Sequence, residues 1–447
     1  MSLLCLLMLY QSVALPEVRG TWLTTTSNDA ISNPLNTATT MRRLREIGLN
    51  TVYVEVWKDG YTEFPSETMR EAIGVPLRVN ASPSGAVQRD LLQETLIEAH
   101  RNQLTYIAWF EYGFIAAYKD SYNHLRTRKD WLSRDRDGNV VAKNGFVWLN
   151  PIHPDAQSLI LGIVLDAVRK YDLDGIQFDD RIVWPYIDMG YDEFTVALYA
   201  REHGGKAPPT DPRDPEWMQW RQRKVEDFSK RLVTEVKKTA GRNFIVSLSP
   251  GPHPWALENY LIDWPSWGSW TSAPSWDEFV PQVYRLSYED FARDWHGQVG
   301  FAGPRRKNLI AGIRLTGDGP DAKRGDIEKY VKLTRQTFSL GHSWWYSKGV
   351  LDLFSSEISK VYDVAKLGQA SHPRLGVNWR PLPIKAVKVA VGQWVATLPV
   401  GRYRAVAQKE GVWHEIKTFE AKRFGKVSVQ INADAVEFLV SRKKFNK

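Results

Sequence analysis

Tyr171-Asp172-Leu173-Asp174-Gly175-Ile176-Gln177-Phe178-Asp179-Asp180 is the stretch on which the fold turns: a short apolar run that ends in two adjacent carboxylates. Residues 155–170, just before it, place Leu159, Ile160, Ile163, Val164, Ala167 and Val168 at the i, i+3, i+4 spacing of a helix packed on a core. From Gly175 onward side chains should alternate between faces, with Ile176 and Phe178 on one and Gln177 and Asp179 on the other. In a parallel barrel the outer face packs on helices, so Ile176 and Phe178 point outward and Asp179 points into the barrel mouth. Asp180 sits where alternation stops being a guide. It either turns up into the site or caps the next segment, and Asp-Asp pairs also close strands simply by satisfying loop amides.

Working outward, eight strand-like segments occur in order, at residues 19–25, 51–57, 105–111, 175–180, 244–250, 278–284, 308–314 and 342–347. Helical patterns separate most of them, at residues 39–48, 90–102, 155–171, 217–239 and 325–340. Alternation of this kind predicts a (β/α)8 barrel over residues 16–365. After residue 370 the pattern changes to short alternating runs broken by Gly, Pro or charge, at 385–391, 403–408, 414–419, 427–431 and 437–441. These read as a small antiparallel β-sandwich over residues 370–447.

Polar and aromatic residues gather at the carboxyl ends of the barrel strands: Glu55 and Trp57, Trp109 and Glu111, Asp179 and Asp180, Gln282 and Tyr284, Arg314, and Trp345 on the eighth. Members of most pairs are two residues apart, which puts both on one face, and carboxyl ends are where barrel enzymes place their sites.

Hydrophobic residues at 43% and charged residues at 25% are ordinary globular values. Residues 370–447 hold fifteen Lys or Arg against five Asp or Glu, a net +10 against +8 for the whole chain, so the remainder carries −2. The basicity belongs to the tail, which suits a solvated basic face or an anionic cell-wall polymer, and no nucleic-acid motif accompanies it. Cys5, the only cysteine, lies in an apolar stretch, residues 1–15, that ends in Ser12-Val13-Ala14. This resembles a signal peptide cut after small residues, which predicts a secreted or periplasmic protein with no transmembrane span.

Glycoside hydrolysis needs two carboxyls facing one bond. Asp179 and Asp180 are neighbours on a strand and point apart, so the expected partner of either is Glu111 or Glu55 across the mouth. Glu111 beside Trp109 and Phe110 is the expected proton donor, because desolvation raises a carboxyl pKa, and Asp179 is the expected ionised partner. Among 19 tryptophans, Trp57, Trp109, Trp148 and Trp184 lie at or just beyond strand ends and are the expected sugar platforms, with Gln282, Tyr284, Arg314 and Trp345 also around the substrate. There is no metalloprotease H-E-x-x-H spacing, no G-x-S-x-G elbow, no dinucleotide fingerprint and no P-loop, so neither cofactor nor metal is expected.

Several fragments together resemble the bacterial glycosyl hydrolase-like family ten: Arg19-Gly20-Thr21-Trp22, Phe64-Pro65-Ser66, the run from Ile107 through Trp109, Phe110 and Glu111 to Gly113, Trp148-Leu149-Asn150-Pro151, Asp174 through Asp180, Ser247-Leu248-Ser249-Pro250, and Pro281-Gln282-Val283-Tyr284. The resemblance covers roughly residues 16–350 and leaves the tail outside. It implies a TIM barrel, an envelope or secreted setting, and action on polysaccharide, peptidoglycan glycan strands included. The leading expectation is a glycoside hydrolase working through Asp179, Asp180, Glu111 and Glu55. The alternative is a carbohydrate-binding or wall-anchoring protein on the same barrel without turnover.

Overall fold

The computed structural model describes residues 16–82, 85–376 and 379–443, so the expected leader at residues 1–15 lies outside the described residues. Eight parallel strands form one sheet: β1 (Val18–Leu23), β2 (Thr51–Glu55), β3 (Thr105–Phe110), β4 (Gly175–Phe178), β5 (Ile245–Leu248), β6 (Glu278–Phe279), β7 (Ile310–Arg314) and β8 (Gly341–Trp345). Their order is β6-β5-β4-β3-β2-β1-β8-β7, and the ring closes through single bridges from Phe279 to Leu309 and from Gln282 to Gly312. The outer layer holds α1 (Pro34–Ile47), α2 (Leu91–Arg101), α3 (Pro154–Lys170), α4 (Pro215–Ala240), α5 (Tyr288–Ala302) and α6 (Ile327–Gln336).

Alternation divides the apolar residues into two cores. Tyr106, Ala108, Phe110, Ile176 and Phe178 face the helices, whereas Val18, Trp22, Tyr53, Ile107, Trp109, Ile245 and Ile310 fill the barrel. The expected outward placement of Ile176 and Phe178 therefore holds. Inside, Gln177 accepts the indole N–H of Trp22 at 2.7 Å and donates to Ser247 Oγ at 3.0 Å, so its polar atoms are satisfied where water is excluded.

Helix α5, which the spacing of apolar residues did not predict, supplies the missing crossover between β6 and β7. Ser287 caps it by accepting from Asp290 N, and Phe291, Trp295 and Ala302 are buried on its inner side. The barrel strands are shorter than read, the sixth, expected over residues 278–284, being only Glu278–Phe279. β2 stops at Glu55, and Trp57–Lys58 instead pairs antiparallel with Tyr61–Thr62. The turn between them is Asp59-Gly60, with φ of 51° and 77°, the left-handed pair that a tight hairpin requires.

In the tail, β9 (Ile384–Lys385), β10 (Val387–Ala390), β11 (Gln393–Leu398), β12 (Gly401–Lys409), β13 (Val412–Ala421), β14 (Gly425–Gln430) and β15 (Ala435–Val440) make two antiparallel sheets, β9-β15-β12-β13 and β10-β11-β14. Trp394, Leu398 and Val429 of one sheet share a core with Tyr403, Ala405 and Phe438 of the other. β11 was not read from sequence.

The sandwich docks on the barrel end where the strands begin. Arg380 reaches Asp172 at 2.9 Å and Asp174 at 2.6 Å, both just ahead of β4, and Arg404 donates to His100, whose other ring nitrogen lies 3.0 Å from Asp174. Ile97 of α2 packs with Val406, Trp413 and Leu439. The stretch from Tyr171 to Asp180 thus holds the tail at its start and presents the paired carboxylates at its end.

Candidate active site

Register brings the carboxylates together. β3 and β4 are neighbours with Phe110 opposite Phe178, so the next residues, Glu111 and Asp179, emerge side by side; β2 pairs with β3 through Glu55 and Trp109. Three consecutive strands therefore deliver Glu55, Glu111 and Asp179 to one side of the mouth. The expected approach from across the mouth is replaced by adjacency.

Two cations hold them. Arg181 Nη1 lies 2.8 Å from Glu111 Oε1 and 3.2 Å from Asp179 Oδ2, while Arg181 Nε lies 3.8 Å from Asp180. Lys58 Nζ lies 3.0 Å from Glu55 and 3.6 Å from Glu111. Because one nitrogen touches both, the Glu111 and Asp179 oxygens are at most about 6 Å apart, close enough to face one glycosidic bond. Gln282 donates one amide to both Asp179 and the Ser249 carbonyl, and the Asp180 N–H donates to Asp179 at 2.9 Å. Glu55 accepts from the backbone N–H of Thr25 at 2.6 Å and from its hydroxyl.

Gly113 lets these pieces meet. Its φ is 45°, and a Cβ there would lie 2.3 Å from the Arg181 carbonyl, which accepts from Phe114 N at 2.9 Å. A side chain at 113 would push Arg181 off Glu111.

Side-chain exposure grades the carboxyls: Glu55 0%, Asp179 8%, Glu111 12% and Asp180 22%. With four acids and two cations in one partly dry cluster, full ionisation is unfavourable. Burial, then the charge of Glu111, pushes Glu55 up to about 8. Burial, then the charge of Asp180, pushes Asp179 well above the usual carboxylate range, and Asp180 is raised as well, mainly by burial. Burial would also raise Glu111, but the Arg181 charge, a hydrogen bond from Glu55 and the Lys58 charge outweigh it and hold Glu111 at about 2. The expectation of a raised Glu111 is thereby corrected: burial does push it up, but the two cations and the Glu55 hydrogen bond outweigh it. Protons on Glu55 and Asp179 relieve the crowding of like charge and leave Glu111 ionised opposite Lys58 and Arg181.

The aromatic residues sort differently from the sequence reading. Trp57, Trp148 and Trp184 are fully buried and present no face to a ligand. The Trp57 indole donates to the Gly113 carbonyl at 3.0 Å and the Trp184 indole to the Met189 carbonyl at 2.9 Å, while Trp148 packs near Phe146 and Tyr260 in the layer between barrel and loops. Trp109 lies inside the barrel with 1% exposure, its ring edge-on to Trp345 at 6.0 Å. Trp345 and Tyr284 are only partly buried and stack on each other at 5.6 Å, with Trp22 packed against both. The charges of Asp179 and Asp180 contribute, after burial, to a strongly raised Tyr284 hydroxyl, which puts this stack beside the acids. Arg314 is also placed differently: its guanidinium donates to the Asp318 and Pro320 carbonyls and ties down the loop after β7.

Lys58, Arg181 and Thr25 were not read as site residues. Lys58 and Arg181 follow the ends of β2 and β4, where barrel-strand periodicity no longer assigns a face, and Thr25 ends the expected first strand although β1 stops at Leu23; Arg181 directly after Asp179-Asp180 was the available signal.

The glycosyl hydrolase-like 10 family model matches residues 17–310. Glycosyl hydrolase DigH of Escherichia coli strain K12 is 30% identical over 191 residues, 36% of this chain and 41% of DigH. Glycosyl hydrolase YngK of Bacillus subtilis strain 168 is 26% identical over 151 residues, 33% of this chain and 27% of YngK. The aligned part thus spans less than half of either relative. Among solved structures, the glycoside hydrolase domain of PgaB (BpsB) from Bordetella bronchiseptica superposes with a TM-score of 0.59 at 16% identity, covering 79% of this chain and 99% of that one. The catalytic domain of β-amylase from Paenibacillus polymyxa does so at 0.54 and 10% identity, covering 80% and 100%. At those identities the likeness is one of fold. The family match takes in β1 to β6 and every acid of the cluster, and on it the chain belongs to the glycosyl hydrolase-like 10 family.

Proposed function

We propose that the protein is a glycoside hydrolase that cuts a bacterial envelope or extracellular polysaccharide, peptidoglycan glycan strands among the candidates, at the Glu111–Asp179–Asp180 cluster. The observation that carries this reading is the shared Arg181 nitrogen between Glu111 and Asp179. It sets two carboxyls of opposite protonation preference within reach of one glycosidic bond.

Asp179 is the proton donor in this scheme. Its Oδ1 accepts from Asp180 N and Gln282 and its Oδ2 from Arg181, and the proton it carries passes to the leaving oxygen. The ionised Glu111 then faces the positive charge that develops on the anomeric carbon, as nucleophile, base or stabiliser, with Asp180 beside it. The roles of Glu111 and Asp179 are thus the reverse of those expected from sequence. Glu55 has no exposed atoms and acts through Lys58 and Glu111. Trp345 and Tyr284 supply the flat surface for a sugar ring. An exported setting accords with this substrate, and exposed Lys385, Lys388, Lys422, Arg423 and Lys426 of the tail fit an anionic wall polymer. No helix among the described residues is long and apolar enough to cross a membrane.

The test is release of new reducing ends from peptidoglycan sacculi, chitooligosaccharides and plant glucans by purified protein. Release that is lost in Asp179→Asn and Glu111→Gln supports the reading. Binding without release, unchanged in both variants, overturns it in favour of a carbohydrate-binding protein.

A further inference from the structure

A second groove lies beside the acid cluster and shares only Thr25 with the residues assigned above. It encloses about 750 Å3 between the loop that follows β1, one face of α1 and residues 348–352 after β8. That volume falls within the roughly 300 to 1,000 Å3 common for small-molecule sites. Asn36, Thr39, Thr40 and Arg43 are spaced i, i+3, i+4, i+7, so one polar stripe of α1 forms its floor.

The walls are built in advance. Asn28 donates to Thr24 Oγ at 2.7 Å and accepts from Ala30 N at 2.9 Å, Asn36 donates to the Asp29 carbonyl at 2.9 Å, and Arg43 donates to the Leu351 carbonyl at 2.7 Å. Charge and chemistry narrow the ligand. Arg43 and Lys348 balance Asp29 and Asp352, which gives no net field for a phosphate or polyanion, and Ala30 and Leu351 are the only apolar side chains in the lining. Hydroxyls, two amides and charges of both signs instead match the mixed donors and acceptors of a neutral polyol.

The loop that walls this groove also holds the acids. Thr25 carries Glu55 through its N–H and hydroxyl, and Lys58 donates to Thr26 Oγ at 3.0 Å while lying 3.0 Å from Glu55. We propose that this groove is a second saccharide-binding subsite, remote from the bond that is cut, whose occupant orders the Thr25–Thr26 wall and through it the Glu55–Lys58–Glu111 chain. The proposal rests on the polysaccharide reading above. Binding energy gained far from the scissile bond then appears as rate at the reacting centre, so long chains are cut faster than short ones.

The probes are N-acetylglucosamine oligomers of two and six units, titrated calorimetrically against the full chain carrying Asp179→Asn, with hydrogen exchange followed over residues 24–33. The hexamer should bind at least tenfold more tightly than the dimer and alone protect residues 24–33. Thr39→Trp, which fills the groove, should erase the hexamer's advantage and its protection, and the rim variant Asp352→Lys should reduce both without touching the packed floor; melting temperatures check that each variant folds. A hexamer advantage that survives both variants, or no advantage in the parent, overturns the subsite and leaves the proposed hydrolase standing. Failure of both oligomers to bind, together with no release from sacculi, glucans or chitooligosaccharides, overturns the hydrolase reading and the subsite with it.

Discussion

Glu111 and Asp179 leave neighbouring strands side by side and share one nitrogen of Arg181, at 2.8 and 3.2 Å. The cation does two things at once: it keeps Glu111 ionised, and it holds both acids at one fixed separation. Arg181→Ala should therefore lower kcat by about 10²- to 10³-fold, the loss typical of removing one preorganised electrostatic partner. Arg181→Lys should recover only part, since a single ammonium lacks the planar fork. An Arg181→Ala enzyme with parental kcat would remove Arg181 from the mechanism.

Glu55 sets an alkaline limit. Burial and the Glu111 charge raise it to about 8, so it keeps its proton through neutrality and loses it as pH passes that value, adding a second negative charge next to Glu111. kcat/KM should hold to near pH 8 and then fall, and Glu55→Gln, which cannot ionise, should flatten that limb. Stability moves the same way. The unfolded carboxyl ionises near 4.5, so the folded state binds more protons between 4.5 and about 8 and loses stability as pH rises through that window. Urea titrations at pH 6 and 9 should show Glu55→Gln narrowing the difference; an unaltered alkaline limb in that variant would contradict this assignment.

Two buried histidines set the acid side of stability. Burial pushes His100 down to about 4 and His342 to about 3, so both are neutral in the fold, while the unfolded chain protonates near 6.5. Their stabilising contribution is complete above 6.5 and is lost as pH falls toward those values, by up to about 1.4 kcal/mol per pH unit per histidine. Raised Glu55 and Asp179 act in the opposite direction over this range, so the test uses the Glu55→Gln, Asp179→Asn background: its melting temperature should drop from pH 6.5 to 4.5, and a flat profile there would show that the histidines are not held neutral.

Asp174 binds Arg380 at 2.6 Å with neither side chain more than 3% exposed, and a buried charge left without its partner costs about 3 to 5 kcal/mol. Asp174→Asn and Arg380→Gln should each lower unfolding stability by an amount of that order, and the double variant by clearly less than their sum. Strict additivity in denaturant titrations would mean that the pair does not couple tail to barrel.

Tryptophans should separate by location. Trp345→Ala, at the mouth, should raise KM by about tenfold through loss of a stacking surface with little loss of stability. Trp184→Ala, sealed beneath the loops, should destabilise by about 3 to 5 kcal/mol. Kinetics and denaturation on both variants would expose the opposite assignment.

Most of the barrel was legible in the chain. Period-two alternation placed Ile176 and Phe178 outward, Gln177 inward and Asp179 toward the mouth, and this holds because the outer face of a strand must meet helices whatever lies further off. Helix α5 escaped because its inward positions mix Phe291 and Trp295 with Gln298, which weakens the apolar period. β11 escaped because its alternation is short and begins with a polar residue, Gln393, at the edge of a turn.

The site was legible by position and illegible by electrostatics. Strand ends marked Glu55, Glu111 and Asp179, because a parallel strand in a barrel aims its terminal side chains at one rim. Their ionisation was decided by Lys58 and Arg181, which the chain reaches only after leaving the strands, and loop residues follow no period that assigns them a direction. The same limit applied to Trp57, turned into the core by the Asp59-Gly60 hairpin, and to Arg314, turned onto its own loop. Local pattern determined which residues arrive at the rim, since it depends on neighbours along the strand. Only the folded chain decided which of them carry protons, since charge interactions act through space between residues far apart in sequence.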